Sequence, residues 1–335
     1  MRKSLLDLID ENNIKEIENN IFNYDVNYIF YQGTPNQTTA LIHAVYYDRL
    51  EIVELLLENN VNVNMVNYDN ETAIIYSDDI DITELLINNN ANVNIQDNTG
   101  KTPLIHNVIK NNTDIIELLL ESNADVNIQD NEGRTALIYA VTYNNYYITD
   151  LLLKYRANPN IIDNNGENVL IINTDYDIAE LLLENKADPN IKDLDGSTPI
   201  MILEDLNIIK LLIEKGADVN FRNNTGMTPL MLSMNLEITK LLLDNYADID
   251  IVDNFGNTAL SIAVLDNDRE MIKLLRMAPK VIGPTESVYG KKRRDKKRRS
   301  KKRRSKKRKV KIGKKKITKN KKNLKKKELK EINNL

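Results

Sequence analysis

The chain has 335 residues, of which 41% are hydrophobic and none is cysteine, and its formal net charge is −3. The lack of cysteine excludes disulfides, a thiolate nucleophile and thiolate metal sites, and fits a reducing compartment. No stretch is long and apolar enough to span a bilayer, and Asp7 and Asp10 interrupt the apolar run a signal peptide would need, so a soluble, intracellular protein with no membrane contact is expected.

In chain order, residues 4–27 predict a helix, an Asn-rich turn, a second helix and a DVN ending, with Leu5, Leu6, Leu8 and Ile9 on one apolar face. Such a one-sided unit suits the end of a stack. Residues 28–38 show no helical period and predict a loop or irregular hairpin. A recurring unit follows, clearest over residues 98–130. Asp97 and Gly100 occupy the ends of a four-residue turn, a hairpin tip. Thr102 is placed to cap a helix and Pro103 fits its first position. Leu104, Ile105, Val108 and Ile109 then run at helical spacing until Asn111 and Asn112. The second helix starts near Asp114. Its Ile115, Ile116, Leu118, Leu119 and Leu120 cover more than one face, so it must be buried on two sides. Asn123 can end it in the left-handed conformation, and residues 124–128 run extended into the next tip.

The turn glycine returns at Gly100, Gly133, Gly166, Gly196, Gly226 and Gly256, with Gln37 and Asn70 in its place upstream, at spacings of 33, 30, 33, 33, 30, 30 and 30 residues. TPL-like starts and LLL-like cores joined by NADVN-like loops at these intervals resemble the ankyrin repeat, over roughly residues 4–278. The resemblance implies an all-α repeat solenoid of helix-turn-helix pairs joined by β-hairpin-like tips. It would have a degenerate N-terminal cap unit plus about eight repeats over residues 1–278, a linker over 279–290 and a disordered Lys/Arg-rich tail over 291–335. The abundance of Asn, Ile, Lys, Asp and Tyr, with repeats such as TALIHAV, is also similar to the ankyrin proteins of mimivirus-like giant DNA viruses, AT-rich intracellular bacteria being the second source to weigh. Two departures from the family pattern stand out. The family's helix histidine is replaced by Ile42, Ile105, Ile138 or Met231, with His43 and His106 one position later, and Arg156, Lys186 and Tyr246 stand where a helix should end left-handed. Four repeats, those starting at Asn70, Gly166, Gly196 and Gly226, lack three residues of the first helix, close to one turn.

An enzyme is not expected. His43 and His106 lie two repeats apart, about 16 to 20 Å, too far to share a metal or a triad, and each reads as an ordinary helix residue. Asp97, Asp130, Asp163, Asp193 and Asp253 recur once per repeat, as paired carboxylates or calcium ligands might, but turn formation accounts for them. The glycines occur singly and make no phosphate-binding loop. No catalytic residue, cofactor or metal ligand set is therefore assigned. The expected function is binding of a protein partner by a monomeric solenoid, through its concave face of tips and first helices. Tip positions that turn geometry leaves open are the candidate contacts: Tyr68, Gln96, Lys101, Gln129, Arg134, Lys192, Leu194, Arg222 and Phe255. Among them Tyr68, Arg134, Arg222 and Phe255 rank first, because aromatic and Arg side chains dominate interface energetics.

The net charge conceals two opposed regions. From Gly290 on there are 27 basic residues against three acidic ones, a net of +24, leaving 19 basic against 46 acidic, a net of −27, in the rest. Charge of one sign at this density predicts disorder. Lys306, Lys307, Arg308 and Lys309 resemble a nuclear localisation signal, so an import receptor and a host nuclear or nucleolar address are expected, with the cytoplasm otherwise. The same charge suits sequence-blind contact with DNA or RNA. A merely solubilising tail, or loose pairing with the acidic solenoid, are the alternatives.

Overall fold

The structure, a computed structural model, describes residues 3–172 and 175–278. The linker and basic tail expected over 279–335, with their import motif, lie outside the described residues. The opening unit is two helices, Leu5–Asp10 and Ile14–Asn20, and the expected irregular hairpin pairs strand Ile29–Phe30 with Thr38–Thr39 in antiparallel register.

Each repeat starts from its N-cap. Thr39, Thr102, Thr135, Thr228 and Thr258 sit in extended backbone and accept a hydrogen bond from the N–H three residues on, satisfying a donor the helix leaves orphaned. The first helix then has seven or eight residues in Ala40–Tyr46, Pro103–Lys110, Ala136–Thr142 and Ala259–Leu265 but four in Ala73–Tyr76, Pro199–Ile202 and Pro229–Leu232. After Gly166, where Asn168 replaces the capping Thr, the chain makes only turns before residue 173.

Losing three residues changes the corner as well as the length. Longer repeats leave the first helix through a left-handed residue, Asp48, Asn111, Asn144 or Asn267. In short repeats, Ser77, Leu203 and Ser233 follow the helix in extended backbone instead. Ser77 and Ser233 then pair with the fully buried Thr83 and Thr239, at 2.8 and 2.9 Å between hydroxyl oxygens. The buried hydroxyls of Thr72 and Thr198, at two of the short first helices, have no hydrogen-bond partner, which is costly, whereas Thr228 at the third caps its helix.

The second helices run nine or ten residues, as in Thr113–Glu121 and Leu206–Lys215. They bury two faces as their sequence requires: Ile115, Ile116, Leu119 and Leu120 are all buried. First helices pack on first helices and second on second, so one apolar core continues from Leu5 to Leu275. Full burial of each such Leu or Ile contributes roughly 1.5 to 3 kcal/mol.

The second helices from Leu50–Glu58 to Leu236–Asp244 each end on a left-handed residue, whereas the last, Arg269–Met277, runs into extended backbone at Ala278. Asn60, Asn90, Asn123 and Gly216 adopt it cheaply, whereas Arg156, Lys186 and Tyr246, at φ of 69°, 74° and 69°, each bear about 1 to 2 kcal/mol of strain. The carbonyls of these three residues accept hydrogen bonds from the side-chain amides of Asn127, Asn160 and Asn220 in the preceding repeat. The same asparagines accept, through Oδ1, the backbone N–H of Asn158, Asp188 and Asp248, at 2.7 Å in each case. Asn27, Asn64, Asn94 and Asn190 accept the equivalent N–H. At Asn64, Asn127, Asn160, Asn190 and Asn220 this position donates and accepts at once, as a side-chain amide can. Two residues earlier, the side chain only accepts, from the N–H of the bridging residue, and there Asp and Asn alternate freely: Asn92, Asp125, Asn158, Asp188, Asp218.

Asn160→Asp keeps the acceptor but loses the donor to Lys186, so it should destabilise by about 1 kcal/mol. Asp188→Asn should stay within about 0.5 kcal/mol of the parent. Urea unfolding in moderate salt, which screens the change of charge, measures both, and equal effects would contradict the donor requirement. A second expectation concerns local opening. Residues 166–253 combine three short repeats, two strained helix ends and the unpaired Thr198 hydroxyl, so their amides should exchange faster than those of residues 100–164; uniform protection would count against it.

Candidate functional site

The tips form a second hydrogen-bonded row. At each, the first residue turns the chain: Asp97, Asp130, Asp163 and Asp253 use Oδ1 to accept from the N–H groups two and four residues on. Gly100 completes its turn at φ +80°, and a Cβ there would lie 2.6 Å from the Asn131 nitrogen of the next tip. Gly256, at φ +84°, has open space instead, so the stacking of tips, beyond the turn itself, excludes side chains at Gly100.

Asparagine joins one tip to the next. The N–H groups of Asn98, Asn131, Asn164, Asn224 and Asn254 donate to the third residue of the tip before them, the carbonyls of Asp69, Thr99, Glu132, Asp195 and Thr225. Their side-chain amides donate to the second, the carbonyls of Tyr68, Asn98, Asn131, Leu194 and Asn224. Tyr68 and Leu194 are the two residues in this position that bring no amide. They mark the start of the row and a break in it.

This network corrects the expectation that positions beside the tip Asp and Gly are free. The Gln96 amide donates to the carbonyls of Gly100 and Gln129, and the Gln129 amide to those of Gly133 and Ile162. Arg222 likewise joins Gly226 to Val252. Arg134 reaches Asp163 of the next tip, Nε to Oδ2 3.3 Å, and its own Glu132 at 3.0 Å. Burial works against the Arg134 charge, but these carboxylates outweigh it and hold its pKa above the ordinary value. Lys101 bonds to Thr99, and Lys192 stands 4.8 Å from the Phe221 ring centre. Three of the nine candidates project apolar side chains outward: Phe255 is 82% exposed, Leu194 64% and Tyr68 50%.

The histidines are more than ordinary helix residues. His43 Nε2 lies 2.7 Å from Asp10 of the opening unit, and His106 Nε2 lies 2.7 Å from Asp97 Oδ2. Tyr139, in the place equivalent to His106, donates to Asp130 at 2.7 Å; its burial, then this carboxylate, push the phenol's pKa well up. Tyr76, equivalent again, donates to Glu71 and also meets Asn67. For the buried Asp97, desolvation favours the neutral acid, but hydrogen bonds from Thr99, His106 and Lys101 prevail and hold its pKa below the usual carboxylate value. These partners brace the tip against its own first helix. A sequence signal for them existed in the alternation His43, Tyr76, His106, Tyr139 at one repeat position, which becomes apolar from Ile172 onward.

Among the described residues no helix is long and apolar enough to cross a membrane. The family described as ankyrin repeats (3 copies) matches residues 8–97, 72–163, 168–253 and 202–282. No curated protein matches the chain. Among solved structures, the ankyrin repeat domain of Bcl-3, a member of the IkappaB protein family, is similar at a TM-score of 0.58 and 22% identity, covering 63% of this chain and 98% of that one. An ankyrin repeat domain from Acinetobacter baumannii AYE is similar at a TM-score of 0.50 and 26% identity, covering 53% and 98%. The tip, helix pair and bridging loop, repeated along the matched residues, show that the chain belongs to the ankyrin-repeat family.

Proposed function

We propose that this chain is a non-enzymatic scaffold whose row of tips docks a protein partner, with Tyr68, Leu194 and Phe255 as apolar anchors. The fold is typical of protein–protein interaction scaffolds. The observation that carries the finer reading is the outward exposure of these three side chains on a backbone row that hydrogen bonds hold in place. Rigid presentation reduces the entropy lost on docking, and a large apolar side chain contributes more than its polar neighbours. Gln96, Gln129, Arg134 and Arg222 would then serve the interface mainly by keeping the tips aligned. The composition, with its Asn-rich and Ile-rich repeats, supports a protein of a giant virus or an intracellular parasite acting on a host or viral partner. The scaffold would work as a monomer, in the nucleus if the tail directs import and in the cytoplasm otherwise.

Partner capture from host-cell extract, followed by quantitative binding, tests the surface. Tyr68→Ala, Leu194→Ala and Phe255→Ala combined should weaken a captured partner at least about tenfold with the unfolding midpoint preserved, and undiminished binding would refute tip docking.

The net charge of +24 from Gly290 on favours a second role, import or nucleic-acid contact by the tail. Replacing Lys306, Lys307 and Arg308 by Ala should return a nuclear protein to the cytoplasm if import dominates. If DNA or RNA binding dominates, that triple change removes three of 27 positive charges and lowers affinity modestly, whereas deleting residues 291–335 abolishes a binding that is steeply salt-dependent. A full chain that stays cytoplasmic and ignores both nucleic acids at low salt would refute both roles.

A further inference from the structure

The residue that follows the last position of each tip differs in charge from repeat to repeat. Arg134, the first residue after its tip glycine, reaches forward to Asp163 of the next tip and neutralises a buried carboxylate. The residue in the corresponding place two steps toward the N-terminus of the stack is Glu71, after Asn70, and the carboxylate it faces is Asp97. An acid thus stands at Glu71 where Arg134 supplies a cation. His106 completes the group, and the donor atoms of Glu71, Asp97 and His106 all lie within 4.8 Å of one another.

We propose that Glu71, Asp97 and His106 bind a divalent transition-metal ion, with Zn²⁺ as the probe of choice. The inference is independent of the docking surface. One imidazole nitrogen and two carboxylate oxygens are ligands that suit Zn²⁺, and three protein ligands leave a place for water. Bonds of about 2.0 to 2.2 Å in tetrahedral arrangement separate ligand atoms by roughly 3.4 Å. The present 2.7 Å between His106 Nε2 and Asp97 Oδ2 needs to open only slightly, and the Glu71 carboxylate stands within 4.8 Å of both. Supporting hydrogen bonds already aim the ligands. Asp97 Oδ1 accepts from the Thr99 N–H, the Thr99 hydroxyl and the Lys101 N–H, leaving Oδ2 toward His106. Glu71 Oε2 is held by the Asn67 amide and the Tyr76 hydroxyl. Outer contacts of this kind fix ligand orientation in metal centres. The nearby Lys101 ammonium is directed to Thr99.

The chain suits a clean test, having no cysteine and two histidines in all. Calorimetric titration of ZnCl₂ into the full chain near neutral pH should show one saturable site per chain, accompanied by a rise in unfolding midpoint. His106→Gln should weaken it about tenfold or more, while His43→Gln should leave it unchanged. Glu71→Arg copies the Arg134 arrangement, so it should fold, raise the midpoint without zinc and eliminate the site. No saturable binding in the parent, or binding in Glu71→Arg or His106→Gln as tight as in the parent, would overturn the proposal.

Discussion

The stack depends on one side chain that can do two things at once. At the end of each DVN-like loop, an asparagine accepts a backbone N–H from the next repeat, and in five of the seven its amide also donates to the carbonyl of a left-handed residue there. A left-handed helix end turns that carbonyl toward its donor. This gives the strained Arg156, Lys186 and Tyr246 a role, because any residue continuing the helix would point its carbonyl elsewhere. Strain at one repeat is offset by a bond from the repeat before it. Consistent with this, the last loop carries Asp250 where the earlier ones carry Asn, and no further loop follows among the described residues.

A second amide row does the same for the tips. Helix packing sets the spacing of the repeats, whereas the side chains of Asn98, Asn131, Asn164, Asn224 and Asn254 fix how the tips align. Two polar rows flanking one apolar core explain an Asn-rich chain that still folds as a stack. Apolar residues placed at the ends or breaks of the row, such as Leu194, are exposed because the row has no use for them, which makes them available to a partner.

Much of this was legible because the repeats report on themselves. The capping threonines, the left-handed ends at Asn60 to Tyr246, the opening unit and the three-residue shortening all follow from local backbone rules, and local rules read well from sequence. What the sequence hid was contact between repeats. Asn131 looks like any turn residue until its amide is seen to reach Asn98, and Gln96 and Gln129 look free until their carbonyl partners are in view. Glu71, Asp97 and His106 belong to two repeats and to three different repeat positions, so no motif joins them. Comparing His43 with His106 missed that each histidine had a carboxylate of its own.

The central claim is that asparagine amides couple neighbouring repeats into one cooperative stack. The direct measurement is urea unfolding of a chain in which Asn127, Asn160 and Asn190 are all replaced by Ala. Uncoupling the middle of the stack should split unfolding into two transitions, each with a smaller denaturant slope than the parent's single one. A single transition with the parent's slope and midpoint would show that apolar packing alone carries the coupling, and would contradict the account.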